Sequence, residues 1–156
     1  GLLVIVICVF GASLRAMGPA NEVFPDGWFT NSIVGAGSAE AARASVQNYF
    51  DAVNNKDYDK AFTYIISQAS TNPVEKQKWL ESMKQAPKVD VVSLGITRVS
   101  RTGDLKRIVF DANLQTTKVG AGVVESTPMK RYISVIEENG VWRIEGFYKT
   151  MPDDDK

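Results

Sequence analysis

The chain has no histidine among its 156 residues. Histidine titrates nearest neutral pH, is the commonest metal ligand, and is the usual base beside a nucleophilic serine or cysteine. The absence removes all three kinds of site. The single cysteine, Cys8, sits in an apolar stretch. It permits no intrachain disulfide and no cysteine-based zinc or redox centre. Eighteen basic residues balance eighteen acidic ones, and no run of five basic residues occurs. A neutral chain gives phosphate backbones no electrostatic footprint, so nucleic acid is not an expected partner. The residue types predict no metal, no cofactor and no catalytic constellation.

What remains for function is how the chain is held. Residues 1–14 carry no charge, and Leu2, Leu3, Val4, Ile5, Val6, Ile7, Val9 and Phe10 dominate them. As a helix they span roughly 21 Å, short of the roughly 30 Å hydrocarbon core. We read residues 1–15 as the visible part of a longer single-pass transmembrane anchor, with a signal-peptide remnant or a buried helix as alternatives. Beyond the apolar run, Arg15 is the only basic residue before Arg43, while Glu22 and Asp26 are acidic. Cytoplasmic flanks usually carry excess Lys and Arg. The expected location of the following domain is therefore periplasmic or extracellular, with membrane lipid as one partner.

Residues 16–37 contain Gly18, Pro19, Pro25, Gly27, Gly35 and Gly37 without helical or strand period, and read as a linker. It is unusually apolar, with Val23, Phe24, Trp28, Phe29, Ile33 and Val34. These residues either tuck onto the chain's own domain or the lipid interface, or dock on another protein. Phe24, Trp28 and Phe29 are the candidate partner contacts.

Residues 38–150 read as one α+β domain. Ser38 is a plausible N-cap, followed by Ala42, Val46, Tyr49, Phe50 and Val53 on one helical face. Asp57 caps a second helix bearing Tyr58, Ala61, Phe62 and Ile65. Asn72-Pro73-Val74-Glu75 opens a third, carrying Trp79, Leu80 and Met83. Four strands follow: Lys88–Ser100, Leu105–Thr117, Val123–Glu137 and Val141–Thr150. In the second, Ile108, Phe110, Ala112 and Leu114 alternate with Arg107, Asp111, Asn113 and Gln115. In the fourth, Trp142, Ile144 and Tyr148 are set against Arg143, Glu145 and Phe147. Short turns, including Glu138-Asn139-Gly140, make the sheet antiparallel. Three helices then pack on one face of a curved four-stranded sheet. Residues 151–156 read as an acidic solvated tail.

The stretch from Val46 through Tyr49, Phe50, Asn54-Asn55-Lys56-Asp57 and Tyr58 to Phe62 resembles the opening helices of the nuclear transport factor 2-like (SnoaL-like) superfamily. The closing Glu138-Asn139-Gly140-Val141-Trp142-Arg143-Ile144 resembles its last hairpin. The resemblance covers about residues 39–150 and implies a cone of sheet around helices, with a pocket inside. Enzyme members of that superfamily place a carboxylate and a tyrosine or histidine in the cone. Here the resemblance implies a candidate pocket set of Tyr49, Tyr64, Asp111 and Tyr132. A desolvated carboxyl beside a phenol would suit proton transfer alpha to a carbonyl. Set against that, Asp111 on a solvated sheet face and the aromatic residues as core are the simpler expectations.

The function expected from these observations is non-catalytic: a membrane-anchored accessory subunit that docks on and stabilises a larger membrane complex, such as an electron-transfer or secretion assembly. The alternative is an anchored small-molecule-binding protein, or an isomerase- or dehydratase-like enzyme, using the cone pocket.

Overall fold

A computed structural model describes residues 29–153. The proposed anchor residues Leu2, Leu3, Val4, Ile5, Val6, Ile7, Val9 and Phe10, and the candidate contacts Phe24 and Trp28, lie outside the described residues. Among the described residues no helix is long and apolar enough to cross a membrane.

Where the sequence reads as linker, the chain forms a short helix, α1 (Phe29–Val34). Val34 is 1% exposed and belongs to the core. Burial of Val34, with Ile33 packed against the core, outweighs the breaking tendency of the flanking glycines. Helix α2 (Ser38–Asn54) follows, but Ser38 is its first helical residue and not its cap. Gly37 takes the cap position in the left-handed region at φ +79°, and the Ser38 hydroxyl donates back to the Val34 carbonyl at 2.9 Å. That bond ties α1 to α2.

The next caps follow the sequence. Asp57 accepts from the Lys60 amide ahead of α3 (Tyr58–Phe62). Asn72 Oδ1 accepts from the Val74 and Glu75 amides at 3.0 and 3.1 Å, ahead of α5 (Pro73–Gln85). Each satisfies backbone donors that a helix start otherwise leaves open. Between them lies α4 (Ser67–Thr71), too short to show a period in the sequence. The described residues thus carry five helices where three are expected.

The sheet is β1 (Lys88–Thr102), β2 (Leu105–Gly120), β3 (Val123–Glu138) and β4 (Val141–Tyr148), antiparallel and in the order β1-β2-β3-β4. Helix α2 lies along β1. Arg43 Nε donates to the Leu94 carbonyl, and the Asn54 side chain exchanges two hydrogen bonds with the Val89 backbone. On the free side of β4, Ile65 bridges Ile144 in parallel, with Ile66 N–H to Ile144 O at 3.0 Å and Ile144 N–H to Tyr64 O at 2.7 Å. This covers an edge that would otherwise invite further pairing.

The core lies between the helices and the inner sheet face. Val46, Ala61, Ile65, Ile108, Phe110, Ile133, Val135 and Ile144 are all fully buried there. β2 alternates as its sequence predicts. β4 does not: a bulge opposite Ser134/Val135 pairs Ser134 with Gly146 and Val135 with Ile144. Glu145 is the extra residue. The bulge reverses the facing of the residues after it, so Phe147 packs inward against the core and Tyr148 turns outward.

The outer face is also partly covered. Val109 is fully buried and Ser134 is 2% exposed. β4 ends on one edge of the sheet, yet Arg98 of β1, on the opposite edge, donates to the Pro152 carbonyl at 2.5 Å. The chain after Tyr148 therefore crosses the outer face, and the start of the expected solvated tail is held against the sheet.

Candidate functional site

The inward turn of Phe147 builds an aromatic cluster. Tyr49 and Phe50 come from α2, Trp79 from α5 and Phe147 from β4. The Tyr49 ring lies 5.2 Å from Phe50, 5.6 Å from Phe147 and 6.2 Å from Trp79, centroid to centroid. Trp79 and Phe147 are 5.8 Å apart. The edge-to-face geometry of Tyr49 against Phe50 and Trp79, at 74° and 87°, is the favoured arrangement for ring quadrupoles. Where the cluster reaches the surface it floors an open cleft of about 300 Å³ lined by Tyr49, Glu75, Lys78, Trp79, Ser82 and Phe147. Glu75 and Lys78 face each other across one helical turn at 3.8 Å. Burial pushes the Tyr49 phenol well above its ordinary range, so the hydroxyl stays protonated. A protonated phenol in an aromatic cleft donates a hydrogen bond and offers flat apolar surface; it is no base.

The structure separates the four candidate pocket residues. Tyr49 lines the cleft. Tyr64 packs against the core beside β4 and holds Ile144 through its carbonyl. Asp111 and Tyr132 are register partners on the outer face, across the sheet from Tyr49. Asp111 Oδ2 pairs with Lys130 Nζ at 3.1 Å, and the Lys130 ammonium lies 5.9 Å from the Tyr132 ring centroid. The hydrogen bond and charge of Asp111 push the Lys130 pKa up. Asp111 is thus a carboxylate paired with a cation on the sheet face opposite Tyr49.

Further along the outer face, Arg107 grips Glu145 with two bonds, Nε to Oε1 at 2.9 Å and Nη2 to Oε2 at 3.0 Å. The Ser134 hydroxyl donates to the same Oε1 at 2.6 Å. Tyr148 folds back over Gly146, where an added Cβ would meet the phenol at 2.6 Å. Desolvation, followed by the Glu145 charge, raises the Tyr148 pKa. These bonds hold the bulge in place.

A second opening of about 720 Å³ lies at the far end of α2, between the β2–β3 arm and the α5–β1 connection. It is lined by Lys56, Lys88 and Lys118, with one carboxylate, Glu125. Sequence reasoning missed it because the three lysines come from separate segments. It also missed Phe147 as a cleft residue; a bulge leaves no mark on β4 alone.

Among solved structures, the chain is similar to a candidate dehydratase of the nuclear transport factor 2-like family from Streptomyces avermitilis, with TM-score 0.50, 11% identity, and coverage of 70% of this chain and 93% of that one. It also matches a candidate polyketide cyclase from Xanthomonas campestris (TM-score 0.42, 12% identity, 71% and 91% covered). A third match is a SEC-C motif protein from Rhodopseudomonas palustris (0.45, 17%, 71% and 81%). Neither a family model nor a curated protein matches the sequence. The described domain has a nuclear transport factor 2-like α+β fold, and the likeness extends to the fold alone.

Proposed function

We propose that this protein is a non-catalytic accessory subunit, held at a membrane by residues 1–15 with its domain on the periplasmic or extracellular side, that docks on a larger membrane complex. One observation carries this reading. The rings of Tyr49, Phe50, Trp79 and Phe147 pack against one another between α2, α5 and β4, leaving only an open surface cleft, and the Tyr49 phenol there is held neutral. Phe24, Trp28 and Phe29 are the proposed partner contacts. Directly after them the chain is tied into the core through Val34 and Ser38, which supports a rigid joint in place of a loose tether. The test is co-purification from native membranes of the full chain with Phe24→Ala and Trp28→Ala. The expected result is loss of the partner subunits with the fold intact. Undiminished co-purification would remove these residues from the docking role. Val34 belongs to the core, so a truncation should end before Phe29.

The 300 Å³ aromatic cleft favours a second reading, a small-molecule-binding domain that takes a flat apolar ligand with one hydrogen-bond acceptor for Tyr49. Its test is quenching or shift of tryptophan fluorescence by such compounds, absent in Trp79→Phe. An isomerase or dehydratase working in the cleft would have Glu75 as its carboxylate, exposed and facing Lys78 at 3.8 Å, since Asp111 lies on the other face of the sheet.

A further inference from the structure

The β2–β3 hairpin outruns both of its neighbours. β1 pairs with β2 no further than Thr117, and β4 pairs with β3 only from Tyr132 onward. Residues Lys118–Glu125 are therefore a two-stranded arm with no third strand. Its end, Val119-Gly120-Ala121-Gly122-Val123-Val124, has no polar side chain. Val119, Val123 and Val124 are 75%, 58% and 65% exposed. Single exposed valines need no explanation, but three together on a projecting tip do.

Two further observations say what the tip is for. The tightest part of the turn places Ala121 at φ +50° and Gly122 at φ +78°. A left-handed position before glycine normally takes asparagine, as Asn139-Gly140 does in the β3–β4 turn of the same sheet, at φ +52° and +83°. At the tip a methyl group occupies the strained site where a polar side chain would be easier. The second observation is charge. Lys56, Lys88 and Lys118 stand around the groove at the base of the arm against Glu125 alone, and none of the three lysines forms an ion pair among the described residues. The open edge of β3 below the tip carries Pro128, which blunts strand addition by another chain.

We propose that the Val119–Val124 tip is a lipid-contacting wedge, inserting into the interfacial layer of an anionic bilayer while Lys56, Lys88 and Lys118 engage the headgroups. Apolar side chains without charge suit the headgroup–acyl boundary, and lysines near such a surface each strengthen attachment to anionic lipid. Their long stems let the ammonium groups reach headgroups beside an inserted tip. The contact stands on residues of the folded domain and is separate from the proposed anchor.

The test uses the full chain reconstituted into vesicles, with Cys8→Ser and an environment-sensitive fluorophore on Val124→Cys or, as control, on Val74→Cys, which is exposed on α5. Vesicles are phosphatidylcholine alone or with about one-third phosphatidylglycerol. The expected result is a blue shift and quenching by bromo-lipid for the label at 124 in anionic vesicles, neither for the label at 74, and about tenfold weaker response with Lys56→Glu and Lys118→Glu together. Flotation with the vesicles reads the membrane-held reading by itself. Protein that floats while the label at 124 stays as aqueous as that at 74 overturns the wedge and leaves the tip to a protein partner. An equal shift in neutral vesicles overturns the role of the lysines. Protein that neither floats nor shifts overturns both readings.

Discussion

Tyr49 and Phe147 stand with ring centroids 5.6 Å apart because Glu145 is bulged out of the β3–β4 ladder. Were Glu145 part of a regular ladder, Phe147 would face outward and Tyr148 would take its place against α2. The bulge in turn is pinned by a two-bond Arg107–Glu145 pair and the Ser134 hydroxyl. The aromatic cleft on one face thus depends on a polar cluster on the other.

Phe147→Ala removes a ring that touches Tyr49, Phe50 and Trp79. Phe147 is only half-buried, so the loss should fall at the low end for phenylalanine, about 2–3 kcal/mol. Urea unfolding measures it, and Trp79 fluorescence should shift red as the cleft opens. A cost below about 0.5 kcal/mol would mean the cluster does not stabilise the fold.

Glu145→Gln keeps the size of the side chain but leaves the Arg107 guanidinium without its countercharge. The pair's side chains are 15% and 23% exposed, so the cost should lie below the 3–5 kcal/mol of a fully buried pair, at about 1–2 kcal/mol. Ser134→Ala should cost less, about 1 kcal/mol, since one neutral donor is lost. The two effects should be non-additive in a double-mutant cycle, because both groups meet at Oε1.

Much of this architecture can be read from local sequence. The caps at Asp57 and Asn72 and the alternation along β2 are local physics, decided within a few residues. The cluster is not local. The facing of Phe147 depends on Arg107 and Ser134, 40 and 13 residues earlier in the chain. Helix α1 forms against the glycine content around it because Val34 finds the core. The lysine groove joins the end of α2, the start of β1 and the end of β2, three segments that only the fold brings together. Asp111 is legible as a polar-face residue, and the structure adds its partner, Lys130.

Tyr49 gives a pH signature. Its folded pKa is raised above the unfolded value of about 10 by burial. A raised acid group contributes stability that is fully present below the unfolded pKa and is lost as pH rises above it, because the unfolded chain then releases a proton that the folded chain keeps. Stability should hold below about pH 10 and fall beyond it. Ultraviolet titration of tyrosinate should show Tyr49 ionising only as the protein unfolds. Tyr49→Phe should flatten that part of the slope; an unchanged slope would assign it to other groups.

Ala121 and Asn139, left-handed positions in the β2–β3 and β3–β4 turns, predict opposite responses to substitution. A non-glycine residue there costs roughly 1–2 kcal/mol, while glycine loses about 0.4–1 kcal/mol through its freer unfolded chain. Ala121→Gly should therefore raise stability by about 0.5–1 kcal/mol. Asn139→Ala exchanges a residue that tolerates the conformation for one that does not, and should lower stability by about 1 kcal/mol. Thermal unfolding of the two variants measures both signs. A stabilising Ala121→Gly would show that the tip holds a methyl group at a cost to the fold, as a contact surface selected for apolarity should. A destabilising one would mean that Ala121 makes contacts that repay its conformation, and the strain argument for the tip would fail.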